Sequence, residues 1–235
     1  AMAQDTAPSL QPGTMQARVA ACTACHGAQG RAGADGYSPR LAGKPQEYLY
    51  HQLLNFRDDR RQYRPMAHLL AGLPDAYLHE MAAYFADQHV PYPSPARVDV
   101  PGATLEAGRR LALSGDAARG LPACASCHGA SLGGLLPAIP GLLGLPRDYI
   151  SSQIGSWKSG QRRAASPDCM ADIANKLTPE DIGALTAWLS SQPVADSYGP
   201  EPAGSLRLPA ECGSQAQPVS YTHLTLPTST LCRSR

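Results

Sequence analysis

The chain has 235 residues, a net charge of +1 and 43% hydrophobic residues, which suits one large or two small globular domains. Positive and negative side chains are mixed along both halves, which argues against a nucleic-acid footprint, and no run approaches the roughly twenty apolar residues needed to span a bilayer, leaving only peripheral membrane contact open. Only 6% of residues are aromatic, against 22 prolines and 22 glycines, so each half would have a thin core and would gain from an internal covalent staple or cofactor.

In chain order, residues 1–12 are a polar lead. Ala1, Met2 and Ala3 fit either the end of a cleaved secretory signal, with Gln4 as the natural start, or an expression scar. Met15, Val19 and Cys22 then fall at helical spacing and carry an apolar face into Cys22-Thr23-Ala24-Cys25-His26. Cys-x-x-Cys-His is the pattern of covalent haem attachment: two thiols bond one porphyrin and the adjacent histidine reaches its iron. Glycine and proline make 31–45 a loop. A helix is expected over 46–58, with Tyr48, Leu49, Gln52, Leu53 and Phe56 inward, then a loop over 60–70 and a helix over 73–88. Four prolines in 90–101 mark a boundary.

The second half replays the first. The motif returns as Cys124-Ala125-Ser126-Cys127-His128, and Pro39, Leu41, Gly43, Pro45, Tyr48, Gln52, Phe56 and Arg61 recur 101 positions later as Pro140, Leu142, Gly144, Pro146, Tyr149, Gln153, Trp157 and Arg162. The closing helix matches at a 104-position shift, with Thr178 as its N-cap and Pro179 at the first helical position. The expected fold is therefore all-α, two tandem helical domains related by duplication. Their expected bounds are a lead over 1–12, domain 1 over 13–92, a linker over 93–103, domain 2 over 104–193, an extension over 194–217 and a non-native tail over 218–235.

His26 and His128 are the expected iron ligands on one side. For the far side, thioether ligation raises the reduction potential, so methionine is the candidate. Met2 lies in the lead, and Met15 and Met81 fall on apolar helix faces where the repeat has Leu105 and Leu185. Met66 and Met170 remain, match each other across the repeat and are expected as axial ligands from loops. His68 is a minor alternative to Met66, while His51, His79 and His89 read as solvated. The second half has no histidine besides His128 before His223. Pro39 and Pro140 read either as prolines that offer their carbonyls to the histidine Nδ1 atoms or as ordinary loop prolines. Arg60, Arg61, Arg162 and Arg163 read either as partners of haem propionates or as solvated side chains.

The two Cys-x-x-Cys-His-Gly sites, the Pro-x-Leu-Ala-Gly run from Pro39 to Gly43 with its degenerate copy, and the late Met66 and Met170 together resemble the dihaem cytochrome c4 family over about residues 14–192. The resemblance implies two class I cytochrome c domains, two covalently bound haem c groups and a periplasmic carrier. Such a carrier passes electrons from a quinol-oxidising complex or a dehydrogenase to a terminal oxidase.

Some features depart from the simplest pattern. Cys169 and Cys212 are unassigned by the motifs and are expected either to form a disulfide tying the extension over the second haem loop or to be free thiols; Cys232 lies in the tail. The longer lead into the second motif suggests a surface loop around 115–120. A pure carrier, rather than an enzyme, is the expected function. The rivals are a haem subunit of a larger dehydrogenase and, further off, a dihaem oxidoreductase such as a thiosulfate dehydrogenase with one differently ligated iron. Zinc or dithiol chemistry would require additional ligands or a strand-rich setting not evident here.

Overall fold

The computed structural model describes residues 13–33 and 36–215. The lead, His223, Cys232 and the tail beyond residue 217 lie outside the described residues. The first half runs through α1 (Met15–Arg18), α2 (Ala20–His26), α3 (Gln46–Arg57), α4 (Arg64–Leu70) and α5 (Asp75–Ala86). The second contains α6 (Gly102–Ser114), α7 (Ala125–His128), α8 (Arg147–Lys158), α9 (Cys169–Lys176) and α10 (Pro179–Ser191), with a two-stranded antiparallel hairpin of β1 (Gly134–Leu135) and β2 (Ile139–Pro140).

Three local differences from the sequence reading have physical causes. The apolar stripe through Met15, Val19 and Cys22 does not run along one helix: Val19, at φ −91° and ψ 6°, breaks it into α1 and α2. The segment expected as a loop over 60–70 contains α4, with Pro65 in its first turn where a missing N–H costs nothing. Met170 likewise sits in the first turn of α9, started by the Asp168 carboxylate accepting from Ala171 N at 3.1 Å. The end of the chain's helical order is as its residues suggest. Thr178 Oγ1 accepts from Asp181 N at 3.2 Å while Asp181 Oδ2 accepts from Thr178 N at 2.9 Å, a reciprocal cap on α10.

Each half has its own apolar core. Val19, Leu49, Leu70, Leu78, Met81, Ala82 and Phe85 form one, with Met15, Cys22 and Met66 packed at its margin. Leu121, Leu132, Leu143, Ile150, Ile154, Leu177, Leu185 and Leu189 are among the residues of the other, with Cys124 and Trp157 at its margin. Helix α6 crosses α10 at Gly108, where a Cβ would run into the Ala184 carbonyl, so only glycine lets the two backbones approach this closely.

The halves meet along the loops after α3 and α8. Arg61 and Arg162 form an antiparallel bridge, flanked by Gln62 N to Gln161 O at 2.8 Å and Arg163 N to Arg60 O at 2.7 Å. The extension then folds back on the second half. Tyr198 Oη donates to Leu132 O at 2.6 Å and accepts from Leu143 N at 2.9 Å. Glu201 exchanges backbone bonds with Gly134 and Leu136, and a disulfide joins Cys212 to Cys169 across a Cα separation of 5.4 Å. The turn at 115–120 is a single 3-10 turn, Ala117–Arg119, started by Asp116.

Candidate haem sites

In the first half, α2 places Cys22, Cys25 and His26 within its last turn and a half. Cys25 is exposed, Cys22 half-buried and His26 buried. His26 Nδ1 lies 2.8 Å from the carbonyl oxygen of Pro39. The second half repeats the arrangement: His128 N donates to Cys124 O at 2.8 Å, closing the turn, and His128 Nδ1 lies 2.7 Å from Pro140 O. A carbonyl can only accept, so Nδ1 carries the proton in both rings and Nε2 holds the lone pair a metal would take. Burial lowers the His128 pKa, the Pro140 bond opposes this, and the charge of Lys44 adds to the lowering.

Burial also raises the Cys22 and Cys127 thiols and pushes Cys124 up to about 11. Among the described residues, no three His, Cys, Asp or Glu side chains converge into a group able to hold a metal ion. The zinc reading therefore lacks further donors of that kind.

Met66 lies on α4, partly buried against the core that also receives Cys22. Met170 lies on α9, partly buried. His68 is exposed, and residues two apart on a helix face different ways, so it does not share the Met66 face. His79 pairs with Glu47 at 2.9 Å, and His89 is exposed beside Asp87 O. His51 departs from the solvated reading: its Nδ1 is buried with no hydrogen-bond partner among the described residues.

The four arginines divide. Arg60 is spent on Asn55 and Asp58, and Arg163 is exposed. Arg61 and Arg162 are buried at the boundary and grip each other's half. Arg61 donates to Gln52 at 2.9 Å and Gln153 at 2.6 Å, and Arg162 to Gln153 at 2.8 Å and Gln52 at 3.0 Å. Tyr149 and Tyr48 accept from them in turn, both at 3.3 Å. Composition alone did not show that this Tyr, Gln and Arg set would meet across the halves; its recurrence at one fixed offset was the available signal.

Neither guanidinium has a carboxylate partner among the described residues. Burial and the charge of Arg61 pull the Arg162 pKa down, the mark of a cation short of an anion. Burial alone would raise the Tyr48 pKa, but Arg162, Arg61 and Lys44 outweigh it and lower it. Trp157 Nε1 is buried with no hydrogen-bond partner among the described residues, under the Arg162 guanidinium at 3.8 Å from its ring. Paired thiols, an imidazole fixed for Nε2 ligation, two buried cations and an orphaned donor together suit a thioether-bound porphyrin with acidic propionates.

This combination of fold and site defines a tandem c-type cytochrome. The family model described as Cytochrome c matches residues 12–89. The chain is 37% identical over 177 residues to the thiosulfate dehydrogenase electron acceptor of Thiomonas intermedia (strain K12), covering 75% of this chain and 81% of that protein. It is 36% identical over 176 residues to cytochrome c4 of Pseudomonas aeruginosa, covering 74% and 85%. The crystal structure of reduced recombinant cytochrome c4 from Pseudomonas stutzeri superposes with a TM-score of 0.65 at 30% identity, over 75% of this chain and 96% of that one. The chain belongs to the cytochrome c4 family, electron-transfer proteins with covalently bound haem c and the two-domain cytochrome c fold.

Proposed function

We propose that the chain carries two haem c groups and works as a periplasmic dihaem electron carrier. Cys22 and Cys25 would attach the first and Cys124 and Cys127 the second; His26 with Met66, and His128 with Met170, would hold the irons. Bound haem c supplies a one-electron ferric/ferrous couple. The protein residues do the rest: Pro39 and Pro140 orient the imidazoles through their carbonyls, the methionine thioethers favour the reduced metal, and the apolar cores exclude water. Arg61, Arg162 and Trp157 receive the propionates at the boundary. With both ligand positions supplied by the protein, no site is left for a substrate, and the chemistry reduces to accepting and passing on electrons.

The observation that carries this reading is the repeated pairing of each motif histidine with a proline carbonyl, at 2.8 and 2.7 Å. The test is the oxidised absorption spectrum together with the haemochrome spectrum. Two covalently held haems and a methionine-to-iron charge-transfer band of two-haem intensity support it. One haem, or a high-spin component, refutes it.

The location reading is supported by the Cys169–Cys212 disulfide, since such bonds persist in oxidising compartments, and export through a cleaved signal accompanies it. No helix among the described residues is long and apolar enough to cross a membrane. The donor is a dehydrogenase or a quinol-oxidising complex, and the acceptor a terminal oxidase. The relative named as an electron acceptor of thiosulfate dehydrogenase favours a thiosulfate-oxidising donor, as free partner or as the enzyme to which this chain is the haem subunit. Stopped-flow reduction by such a dehydrogenase with thiosulfate, measured against reduction by a quinol-oxidising complex, decides between the donors.

A further inference from the structure

The repeat relating the two halves fails at several buried positions, among them Arg40, where the second half has Gly141, and Lys44. Lys44 stands where the second half has Leu145, yet it is only 8% exposed. Its ammonium reaches across the boundary and donates to the carbonyl of Gly141 at 3.3 Å. Gly141 follows Pro140, whose own carbonyl holds the His128 ring. No carboxylate pairs with Lys44 among the described residues. Of the other buried cations in residues 13–92, Arg40 spends its guanidinium on the carbonyls of Ala42, Val90 and Pro91 and lies over the Tyr92 ring, and Arg61 spends its own on Gln52, Gln153 and Tyr149. Lys44 is thus the cation that residues 13–92 direct at the proximal side of the second site.

We propose that Lys44 is a positioning residue for the second haem: it steadies the Pro140–Gly141 turn and, through its charge, selectively raises the reduction potential of the iron that His128 ligates. The proposal rests on the ligand reading above. Oxidation adds one positive charge at the iron, and the Lys44 ammonium, although burial lowers its pKa, disfavours that charge in a low-dielectric interior. The reduced form is therefore the one stabilised. Leu145, at the equivalent position, does nothing comparable for the first site. The driving force between the two irons is then partly a property of the boundary between the halves.

The test compares the holoprotein with Lys44→Met, close in volume and uncharged, and Lys44→Arg, which keeps the charge. Haem content is counted by haemochrome spectrum and mass. The two axial-methionine methyl signals of the reduced protein, assigned with Met66→Ala and Met170→Ala, then follow each haem through a redox titration. Lys44→Met is expected to move the second site at least tenfold toward the oxidised form, about 59 mV for one electron, with a much smaller change at the first. Lys44→Arg should restore most of it. Equal shifts at both sites, a shift at the first alone, or none would overturn the proposal. If Lys44→Met does not assemble, Lys44→Gln is read by the same criteria. Absence of either methionine signal from the unaltered protein overturns the ligand assignment instead, independently of Lys44.

Discussion

Removing the disulfide should weaken the second half alone. Cys169 and Cys212 are 43 residues apart in sequence, and their bond closes a loop that contains α9, α10 and the extension. In the chain-entropy account, a loop of that length removes about 13 cal/mol/K from the unfolded ensemble, or about 4 kcal/mol at 25 °C. That is an upper value, because the extension is also held by Tyr198 and Glu201 and retains those bonds without the disulfide. For a domain of this size each kcal/mol moves the midpoint by roughly 4–8 °C. The assay is guanidinium unfolding of the Cys169→Ser, Cys212→Ser double variant. Haem absorption reports both halves, and tryptophan fluorescence reports the second, since Trp157 and Trp188 both lie there. Fluorescence should report a loss of about 2–4 kcal/mol, with the first half's transition unmoved. A loss below about 0.5 kcal/mol, or one shared equally by both halves, would refute the reasoning.

Other outcomes follow from single contacts. Gly108→Val places a branched side chain against the Ala184 carbonyl, so α6 must move off α10, and chemical denaturation should show a loss of about 1–3 kcal/mol or more. Leu78→Ala empties a fully buried position of the first core and should cost about 2–5 kcal/mol, read as a shift in the first half's transition only. Asp181 is held below the ordinary carboxylate range chiefly by Arg119, 2.6 Å away. A carboxyl with a depressed folded-state pKa contributes stability that is present above its unfolded value of about 3.9 and fades as pH falls through the lower folded value. Unfolding midpoints of Arg119→Met measured from neutral to strongly acidic pH should therefore show less acid sensitivity than the parent. Met170→Ala should remove half of the methionine-to-iron charge-transfer intensity and lower the potential of one haem, measured by spectroelectrochemistry.

The attachment chemistry was readable without coordinates because it is local. Cys-x-x-Cys-His is a matter of spacing within one helical turn, and its duplication made the halves comparable residue by residue. Thr178 and Pro179 were likewise sufficient to start α10, since a cap involves only neighbours in the chain. The short helices α4 and α9 were not readable. At seven and eight residues they lie below the length at which propensity sustains a helix, and packing against the cores decides them. The hairpin of β1 and β2 has only two residues per strand and carries too little pattern to be read from alternation.

The sequence by itself determined what each half is: a motif, a proline thirteen or twelve residues on, and a late methionine, each repeated. Only the tertiary structure decided how the halves address each other. Arg61 and Arg162 read either as propionate partners or as solvated side chains, and they are buried because each finds its acceptors, Gln52 and Gln153, on both sides of the boundary. Lys44 falls in the segment expected as a loop, and nothing local in the chain pointed to the Gly141 carbonyl that its ammonium reaches. Cys169 and Cys212 could be named as a pair, but their pairing required the extension to fold back over the second half. Local chemistry travels with spacing along the chain, whereas the desolvation and charge a side chain meets are set by whichever distant segment covers it.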